Sequence, residues 1–413
     1  MAKLESVGFY EHVVTLPKPR ANAAGYGIAI DIGTTTHAFE LLNLQTGECT
    51  ARFSSGNSQR IYGADIISRI AKAGEGEAER LNALLMQDIN EGVAALLSQA
   101  GSKTGTTDET MDMPPQIAIT GNTTMLHFLQ NLPTHGLGVY PFTPVSVAPA
   151  HTTIAELPAI ILPCVSAFIG ADMVAGILHC GWAFQSGYNL LIDLGTNGEI
   201  ALFSQEKVLA TSTAAGPAFE GGNISAGVPS VAGGIANAKI SPEKNVFSVE
   251  TIENKPPIGI CGTGVIDIAA ELVKHGIADE TGLLSQPEIT ICPGISFTQA
   301  DLREVQLAKA AVRAAIEILL DEAAITHHDV ENVFLAGGFG YKMKAENAAV
   351  LGLLPPALTH KTKAVGNAAL GGCAKVLLEN GLQAAQDLAA AVTEVSLPTH
   401  PRFESLFVQY MGF

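Results

Sequence analysis

The sequence predicts an α/β protein assembled from two similar halves, each with the element order βββαβα. A strand that ends in aspartate, an apolar residue, glycine and threonine occurs twice, in Tyr26–Thr36 and in Leu190–Glu199. Equivalent positions of the two copies lie 162 residues apart, as Asp31 and Asp193 do. Each copy is followed by two more strand-like runs, a long amphipathic helix and a strand that ends in glycine. A repeat of this length indicates a duplicated fold.

The first half follows this order to about residue 176. Apolar residues alternate in the runs after the first aspartate and then recur with helical spacing, and small residues begin a last helix. The predicted elements are strands in Ala38–Leu44 and Thr50–Phe53, a helix in Ala78–Gln99, a strand in Ile117–Asn122 and a helix that begins in Ile169–Gly176. A further helix or helical turn is predicted in Tyr62–Ile70, where Asp65 and Arg69 have the spacing of a surface ion pair.

The second half repeats the order but contains an insertion. The offset between equivalent positions grows from 162 at the aspartates to 216 at Gly121 and Gly337, so about 54 extra residues lie between Thr211 and Thr298. The predicted elements are strands in Ile200–Phe203, Val208–Thr211 and Val333–Gly338, helices in Thr298–Ala323 and Ile266–His275, and a helix start in Val365–Gly372.

The two aspartate turns are candidates for binding a magnesium-bound phosphate. A carboxylate at a strand end, such as Asp31 or Asp193, can hold hydrated Mg²⁺. Glycine lets the backbone approach a phosphate, and backbone amides with threonine hydroxyls can donate to its oxygens. A single copy is better explained as an ordinary hairpin turn, and the paired register is what favours the functional interpretation.

These residues carry a resemblance to the superfamily of acetate and sugar kinases, heat-shock ATPases and actin. Asp31–Thr36 resembles its first phosphate motif, Asp193–Glu199 its second, and Ala336–Gly340 its adenosine motif. The helix starts at Gly170–Leu178 and Gly366–Ala374 resemble its two connecting helices, which cross.

From about residue 25 the chain is still more similar to the ATPase domain of reductive activators of corrinoid proteins. The residues that carry this closer resemblance are Tyr62–Asp65, Gly121–Met125, Gly195–Glu199 and Gly216–Gly221. It implies duplicated ribonuclease-H-like (actin-like ATPase) halves around a nucleotide cleft. It also suggests that Asp65 and Arg69 face the cleft.

The resemblance implies ATP and Mg²⁺ as ligands and assigns roles to individual residues. Asp31 and Asp193 are the expected metal ligands, and either Asp172 or Glu199 is the expected water-orienting residue. The expected nucleotide-binding residues are Gly33, Thr34, Thr35, Thr36, Gly195, Thr196, Asn197, Gly198, Gly216, Glu220, Gly262, Gly337, Gly338 and Phe339.

The resemblance further implies an ATPase that supports reduction of cob(II)alamin to cob(I)alamin in a corrinoid protein for methyl transfer. In that family a ferredoxin module usually precedes this region, and residues 1–24 resemble only an arm or linker. We therefore expect no iron–sulfur cluster in this chain and electrons from a separate ferredoxin or flavoprotein. The corrinoid protein or its methyltransferase is the expected partner. Three alternatives remain open: a small-metabolite kinase, a nucleotide-dependent protein-binding clamp, and an activator of 2-hydroxyacyl-CoA dehydratases.

Composition bounds the remaining possibilities. The 413 residues suit two domains, and 47% hydrophobic with 15% charged residues predicts a well-buried interior. A formal net charge of −17 argues against nucleic acid and anionic membranes as partners. No apolar run is long enough for a membrane span and no secretion signal is recognisable, so the cytoplasm is expected. The six cysteines contain no Cys-x-x-Cys pair and are interpreted as buried thiols.

The predicted domain organisation has four parts. An arm or linker covers 1–24, the first half covers 25–188, and the second half covers 189–365. The segment 366–413 contains the second connecting helix and a tail that is expected to pack back on the first half.

Overall fold

The computed structural model describes residues 25–103, 116–182, 187–195, 197–241, 246–337 and 343–413, with side chains up to residue 99 in the first of these ranges. Contacts divide these residues into two units. Unit 1 contains 25–182 and 367–394, and unit 2 contains 187–366 and 395–413, apart from the gaps just given. No helix of the described residues is long and apolar enough to cross a membrane.

Unit 1 is built around one mixed sheet. Its strands are β1 (Tyr26–Ile32), β2 (Thr36–Asn43), β3 (Cys49–Gly56), β4 (Gln116–Gly121), β5 (Ala150–Ile154) and β6 (Leu157–Ile161). They lie in the order β3-β2-β1-β4-β6-β5. The pairs β1–β2, β2–β3 and β5–β6 are antiparallel, whereas β1–β4 and β4–β6 are parallel. Strand β1 is therefore central, which explains its continuous apolar run.

Helices cover the sheet of unit 1. They are α1 (Ile66–Lys72), α2 (Ala78–Lys103), α3 (Thr123–Leu129), α4 (His135–Gly138) and α5 (Ala171–His179), and later in the chain the unit also has α9 (Ala368–Glu379) and α10 (Leu382–Ala391), with a short strand at Val392–Glu394. In α2 the side chains of Leu81, Leu85, Ile89 and Val93 are fully buried at helical spacing. Gly92 allows α2 to pack closely, because a Cβ there would lie 2.3 Å from the ring of Phe39.

Unit 2 repeats the same sheet order. Its strands are β7 (Tyr188–Leu194), β8 (Gly198–Phe203), β9 (Val208–Thr213), β10 (Gly234–Ile240), β11 (Phe247–Thr251), β12 (Gly259–Ile260), β13 (Glu288–Cys292), β14 (Ile295–Thr298), β15 (Val330–Ala336) and β16 (Thr362–Gly366). The main sheet has the order β16-β15-β7-β8-β9. The pairs β7–β8 and β8–β9 are antiparallel, and β15 is parallel to both β7 and β16. This duplication confirms the predicted fold class.

The helices of unit 2 are α6 (Gly262–Lys274), α7 (Gln299–Ala323), α8 (Ala345–Val350) and α11 (Phe403–Gln409). Helix α7 begins with a capping box between Thr298 and Asp301. The predicted insertion is confirmed: β10 to β14 and α6 lie between β9 and α7 and form two small additional sheets.

The predicted helix in Tyr62–Ile70 is observed as α1, but the surface ion pair is wrong. Arg69 has no exposed surface. The Asp65 carboxylate caps α1 by accepting hydrogen bonds from the amide and hydroxyl of Ser68. A capping carboxylate is a common use of aspartate at a helix start, and it competes with the i,i+4 pair for the same side chain.

The expected packing of the tail on the first half is wrong beyond residue 394, because residues 395–413 belong to unit 2, where the end of the chain packs on α7 around a buried lysine. The Lys309 side chain is 1% exposed, its ammonium donates to the Gly412 carbonyl, and it lies 4.9 Å from the centre of the Phe413 ring. Burial, with a smaller effect of the charge of Arg313, lowers the pKa of Lys309 to about 8. The protonated form is therefore less favourable in the folded protein than in the unfolded chain.

We expect Lys309→Met to remove a pH dependence of stability. In the wild type the unfolded chain binds more protons than the folded protein between about pH 8 and 10.5, so the free energy of unfolding rises with pH across that window, by up to about 3 kcal/mol. Urea unfolding at pH 7.5 and 9.5 measures this slope. Lys255→Met, at an exposed position, should keep the wild-type slope. An unchanged slope in Lys309→Met would contradict the assignment.

Candidate functional site

The first aspartate turn joins β1 to β2 in unit 1 and is stabilised by its own backbone and by Asn57. The Gly33 amide donates to the Thr36 carbonyl at 3.1 Å, and a Cβ at position 33 would lie 2.4 Å from that carbonyl oxygen, so glycine is needed there. Asn57 binds the turn twice, since its Nδ2 donates to the Gly33 carbonyl (3.1 Å) and its amide to the Thr35 carbonyl (2.9 Å).

The same turn leaves donors free. The Thr34 carbonyl accepts from Arg69 Nη2 at 2.7 Å, and the Thr34 hydroxyl accepts from Asn122 Nδ2 at 3.1 Å. Within the described part of the chain, the carbonyls of Gly33, Thr34 and Thr35 are all hydrogen bonded, whereas the amides of Thr34 and Thr35 have no acceptor. Thr35 is exposed. Adjacent free amides of this kind form a concavity that suits an anion.

Asp31 lies beside this turn at the end of β1, and a second carboxylate faces it. Asn367 Nδ2 donates to Asp31 Oδ2 at 2.8 Å, while the Asn367 Oδ1 caps α9 by accepting from the Leu370 amide. Asp172 is in the first turn of α5, where its Oδ1 accepts from the Met173 amide at 2.8 Å. The helices α5 and α9 thus both begin next to Asp31, each with a polar side chain in its first turn.

The ionised forms of Asp31 and Asp172 are unfavourable in unit 1 without a bound cation. Burial raises the pKa of Asp31 to about 6, and the hydrogen bond from Asn367 opposes part of this rise. Burial, together with the negative charge of Asp31, raises the pKa of Asp172 to about 7. A divalent cation between such groups would reverse both effects. Carboxylate oxygens are hard donors, which fit Mg²⁺.

The second aspartate turn joins β7 to β8 in unit 2. Asp193 lies opposite Glu199 in the strand register, and the Gly195 amide donates to the Asn197 carbonyl at 3.0 Å. Gly337 follows β15 with φ +94°, and a Cβ there would lie 2.8 Å from Asp193 Oδ1, so only glycine leaves room for that carboxylate.

The insertion of unit 2 borders this turn. A Cβ on Gly195 would lie 3.6 Å from Glu220 Oε1, so the Glu220 carboxylate reaches the second turn. Gly216 has φ +76° and leads into the helical turn Pro217–Glu220. A Cβ on Gly262 would lie 1.8 Å from the Phe219 carbonyl, so the start of α6 packs directly on that turn.

The structure therefore places most of the predicted site residues in two clusters, one in each unit. Unit 1 brings together Asp31, Asp172 and the turn from Gly33 to Thr36. Unit 2 brings together Asp193, Gly195, Asn197, Gly198, Glu199, Gly216, Glu220, Gly262 and Gly337. Thr196, Gly338 and Phe339 lie outside the described residues.

Sequence reasoning assigned no support of the first turn to four residues, although the resemblance suggested that one of them, Arg69, faces the cleft; the four are Asn57, Arg69, Asn122 and Asn367. Asn122 and Asn367 each precede a helix that begins with small or hydroxylated residues, and this N-cap signal could have identified them. Asn57 and Arg69 carry no comparable signal, because their contacts with the turn depend on how distant elements pack.

Comparison with known proteins gives matches over nearly the whole described chain. Residues 26–184 match the family described as the RACo middle region, and residues 187–413 match the C-terminal domain of RACo, the ASKHA domain. The corrinoid activation enzyme RamQ of Eubacterium limosum is 32% identical, with 94% of this chain and 70% of RamQ covered. The [Co(II) methylated amine-specific corrinoid protein] reductase of Methanosarcina barkeri is 26% identical, over 94% of this chain and 77% of the reductase.

A solved structure shows the same fold. The reductive activator for corrinoid, iron–sulfur protein superposes with a TM-score of 0.82 at 30% identity, covering 95% of this chain and 67% of the activator. The resemblance inferred from the motifs is therefore confirmed.

Proposed function

The chain belongs to the RACo family, and from this membership we propose that it is an ATP-dependent reductive activator of a corrinoid protein. The observation that best supports the proposal is the pair of aspartate turns, each with a strand-end carboxylate and a glycine turn. In unit 1 the turn also presents two amides that have no acceptor among the described residues, beside two carboxylates of raised pKa. Perturbed carboxylates beside an anion-binding turn are typical of functional sites.

In this proposal both turns bind one magnesium-bound triphosphate. Asp31 and Asp193 would hold the hydrated Mg²⁺, which would neutralise charge on the phosphates. The amides and hydroxyls of Thr34, Thr35 and Thr36 donate to phosphate oxygens, as do the backbone of Gly195 and the residues Thr196, Asn197 and Gly198.

The insertion of unit 2 is proposed to bind the nucleoside. Glu220 accepts from a ribose hydroxyl, and the glycines at 216 and 262 allow the backbone to approach the base. The segment Gly337, Gly338 and Phe339 completes the adenosine site.

Hydrolysis needs a group that orients the attacking water. Asp172 and Glu199 are the two candidates, because each lies beside a strand-end aspartate.

The proposed reaction couples ATP hydrolysis to a one-electron transfer. Cob(II)alamin in the corrinoid protein gains one electron and becomes cob(I)alamin, a separate low-potential ferredoxin or flavoprotein loses that electron, and ATP with water gives ADP and phosphate. The ATP-bound conformation of this protein binds the corrinoid protein more tightly in the state that is ready for reduction. The shift toward that state is limited by the difference between the affinities for the two states of the corrinoid protein. The reaction takes place in the cytoplasm, and the methyltransferase that uses the corrinoid is a further expected partner.

The proposal is tested with a corrinoid protein in the cob(II) state and titanium(III) citrate as reductant. We expect the optical spectrum to change to that of cob(I)alamin with ATP and Mg²⁺, and to change at least about tenfold more slowly with AMP-PNP or without nucleotide. The matched control is the same mixture without this protein.

Three results would contradict the proposal. ATP turnover that rises with a small metabolite and ignores the corrinoid protein would indicate a kinase. An ATP-dependent complex with no change at cobalt would indicate a clamp. Stoichiometric iron with a charge-transfer spectrum in the purified protein would contradict the separate electron donor.

A further inference from the structure

Arg69 on α1 is a fully buried cation without a carboxylate partner among the described residues. Its side chain has no exposed surface, and no acidic group of the described chain lies within ion-pair distance. Asp65, its neighbour one turn earlier, uses its carboxylate on Ser68. Its guanidinium instead donates to three neutral oxygens: the carbonyls of Thr34 (2.7 Å) and Gly63 (2.9 Å), and Oε1 of Gln59 (3.3 Å).

Such an arrangement is costly in the protein alone. Taking a guanidinium out of water carries a large desolvation penalty, which neutral carbonyl dipoles compensate only in part. Burial lowers the pKa of Arg69 to about 10, against a smaller opposing effect of the Asp65 charge, so the group still carries its charge at pH 7. A buried, charged group of this kind is stabilised when an anion binds nearby.

The bond to Thr34 connects this charge to the phosphate-binding turn. The Thr34 carbonyl and the Thr35 amide belong to one peptide group, and that amide has no acceptor in the described structure. A cation bound to the carbonyl polarises the peptide and makes its N–H a stronger donor. Asn57 acts on the preceding peptide in the same way through the Gly33 carbonyl, but without charge.

We propose that Arg69 is a positioning residue that acts through the Thr34–Thr35 peptide to give the first turn its affinity for the nucleotide triphosphate. The charge of Arg69 is compensated by the phosphate rather than by a protein carboxylate. This inference rests on the proposed function, since it requires that the turn binds a nucleotide.

Three variants separate the charge of Arg69 from its structural role. Arg69→Met removes the charge and the donors, and Arg69→Lys keeps the charge with fewer donors. Gln59→Glu places a carboxylate at the atom that already accepts from Arg69, so it neutralises the cation without deleting it. Arg52→Met is the matched control, because Arg52 pairs with Glu40 on the outer part of the same sheet.

The readout is the dissociation constant for AMP-PNP with Mg²⁺, measured by calorimetry, together with the melting temperature. We expect Arg69→Met to weaken binding by about 10- to 100-fold and Arg69→Lys to restore part of that loss. Gln59→Glu should weaken binding by about tenfold, whatever melting temperature results from losing the hydrogen bond that Gln59 Nε2 donates to the Leu81 carbonyl, and Arg52→Met should bind as the wild type does.

The outcomes are distinct. If Gln59→Glu and a folded Arg69→Met both bind AMP-PNP as well as the wild type does, Arg69 has only a structural role and the inference is overturned. The same conclusion follows if the melting temperature falls in both variants without a change in affinity. If the wild type itself does not bind AMP-PNP, the proposed function fails, whatever the variants do. If Arg69→Met is insoluble, the affinity of Gln59→Glu for AMP-PNP tests the inference, and wild-type affinity in that variant overturns it.

Discussion

Asp31→Asn is expected to reduce ATP hydrolysis by at least about 10²-fold while it stabilises the nucleotide-free protein. The loss follows from removing a charged ligand of the proposed metal site, where single preorganised groups typically contribute that much. The gain in stability follows from the pKa of Asp31, which burial raises to about 6. The carboxylate is charged at pH 7.5 in both folded and unfolded chains, and its burial then costs on the order of 3 kcal/mol.

The sign of this stability effect is fixed by the direction of the shift. A carboxyl group with a raised pKa in the folded protein binds its proton more readily there, so its penalty is absent below about pH 4 and fully present above about pH 6. Asparagine has no charge to desolvate, and it can still accept the hydrogen bond from Asn367. The variant should therefore be less active and more stable, a combination that simple misfolding cannot produce.

Steady-state phosphate release and thermal unfolding at pH 7.5 measure the two effects. Asp387→Asn is the matched control, because Asp387 is exposed on α10 of the same unit and its substitution should change neither value. Asp193→Asn should lose activity to a similar degree if both turns serve one metal. Wild-type phosphate release in Asp31→Asn would rule out a role for this carboxylate in hydrolysis.

Sequence patterns predicted the parts of the site that are continuous in the chain. Asp31 and Asp193 stand out because the same aspartate, glycine and threonine recur at one offset, and strand register then places each next to its turn. The fold class follows from the same repeat. Local order of this kind depends on residues a few positions apart, which periodicity and turn chemistry describe well.

The contacts that complete the site join distant positions of the chain, and no local pattern predicts those contacts. Asn367 reaches Asp31 across 336 positions of the chain. Arg69 has the spacing of a surface ion pair but is buried under the first turn, since α1 packs there. Glu220 approaches Gly195 only because the insertion folds back toward the turn between β7 and β8. Contacts of this type are decided by tertiary packing.

Gly372→Ala is expected to destabilise the protein by about 3 kcal/mol or more and to reduce ATP hydrolysis with it. Helices α5 and α9 approach so closely in unit 1 that a Cβ on Gly372 would lie 1.9 Å from the Ala175 carbonyl oxygen and 2.6 Å from its Cα. These are backbone atoms, so relief requires one helix to move, and overpacking of this degree is at the upper end of measured costs. Displacement would also shift the helix starts that carry Asp172 and Asn367, and with them the support of Asp31.

Urea unfolding and phosphate release at a temperature where the variant remains folded separate the two effects of Gly372→Ala. Gly74→Ala is the matched control, because a Cβ at that exposed position meets no atom within 4 Å and its backbone is not left-handed. That variant should be neutral or up to about 1 kcal/mol more stable, since alanine restricts the unfolded chain. Wild-type stability in Gly372→Ala would show that the helices can separate freely, and a destabilised variant with full activity at low temperature would show that their contact does not position the carboxylates. The expected result, a loss of both stability and hydrolysis, would show that the close contact of α5 with α9 at Gly372 positions the carboxylates of unit 1.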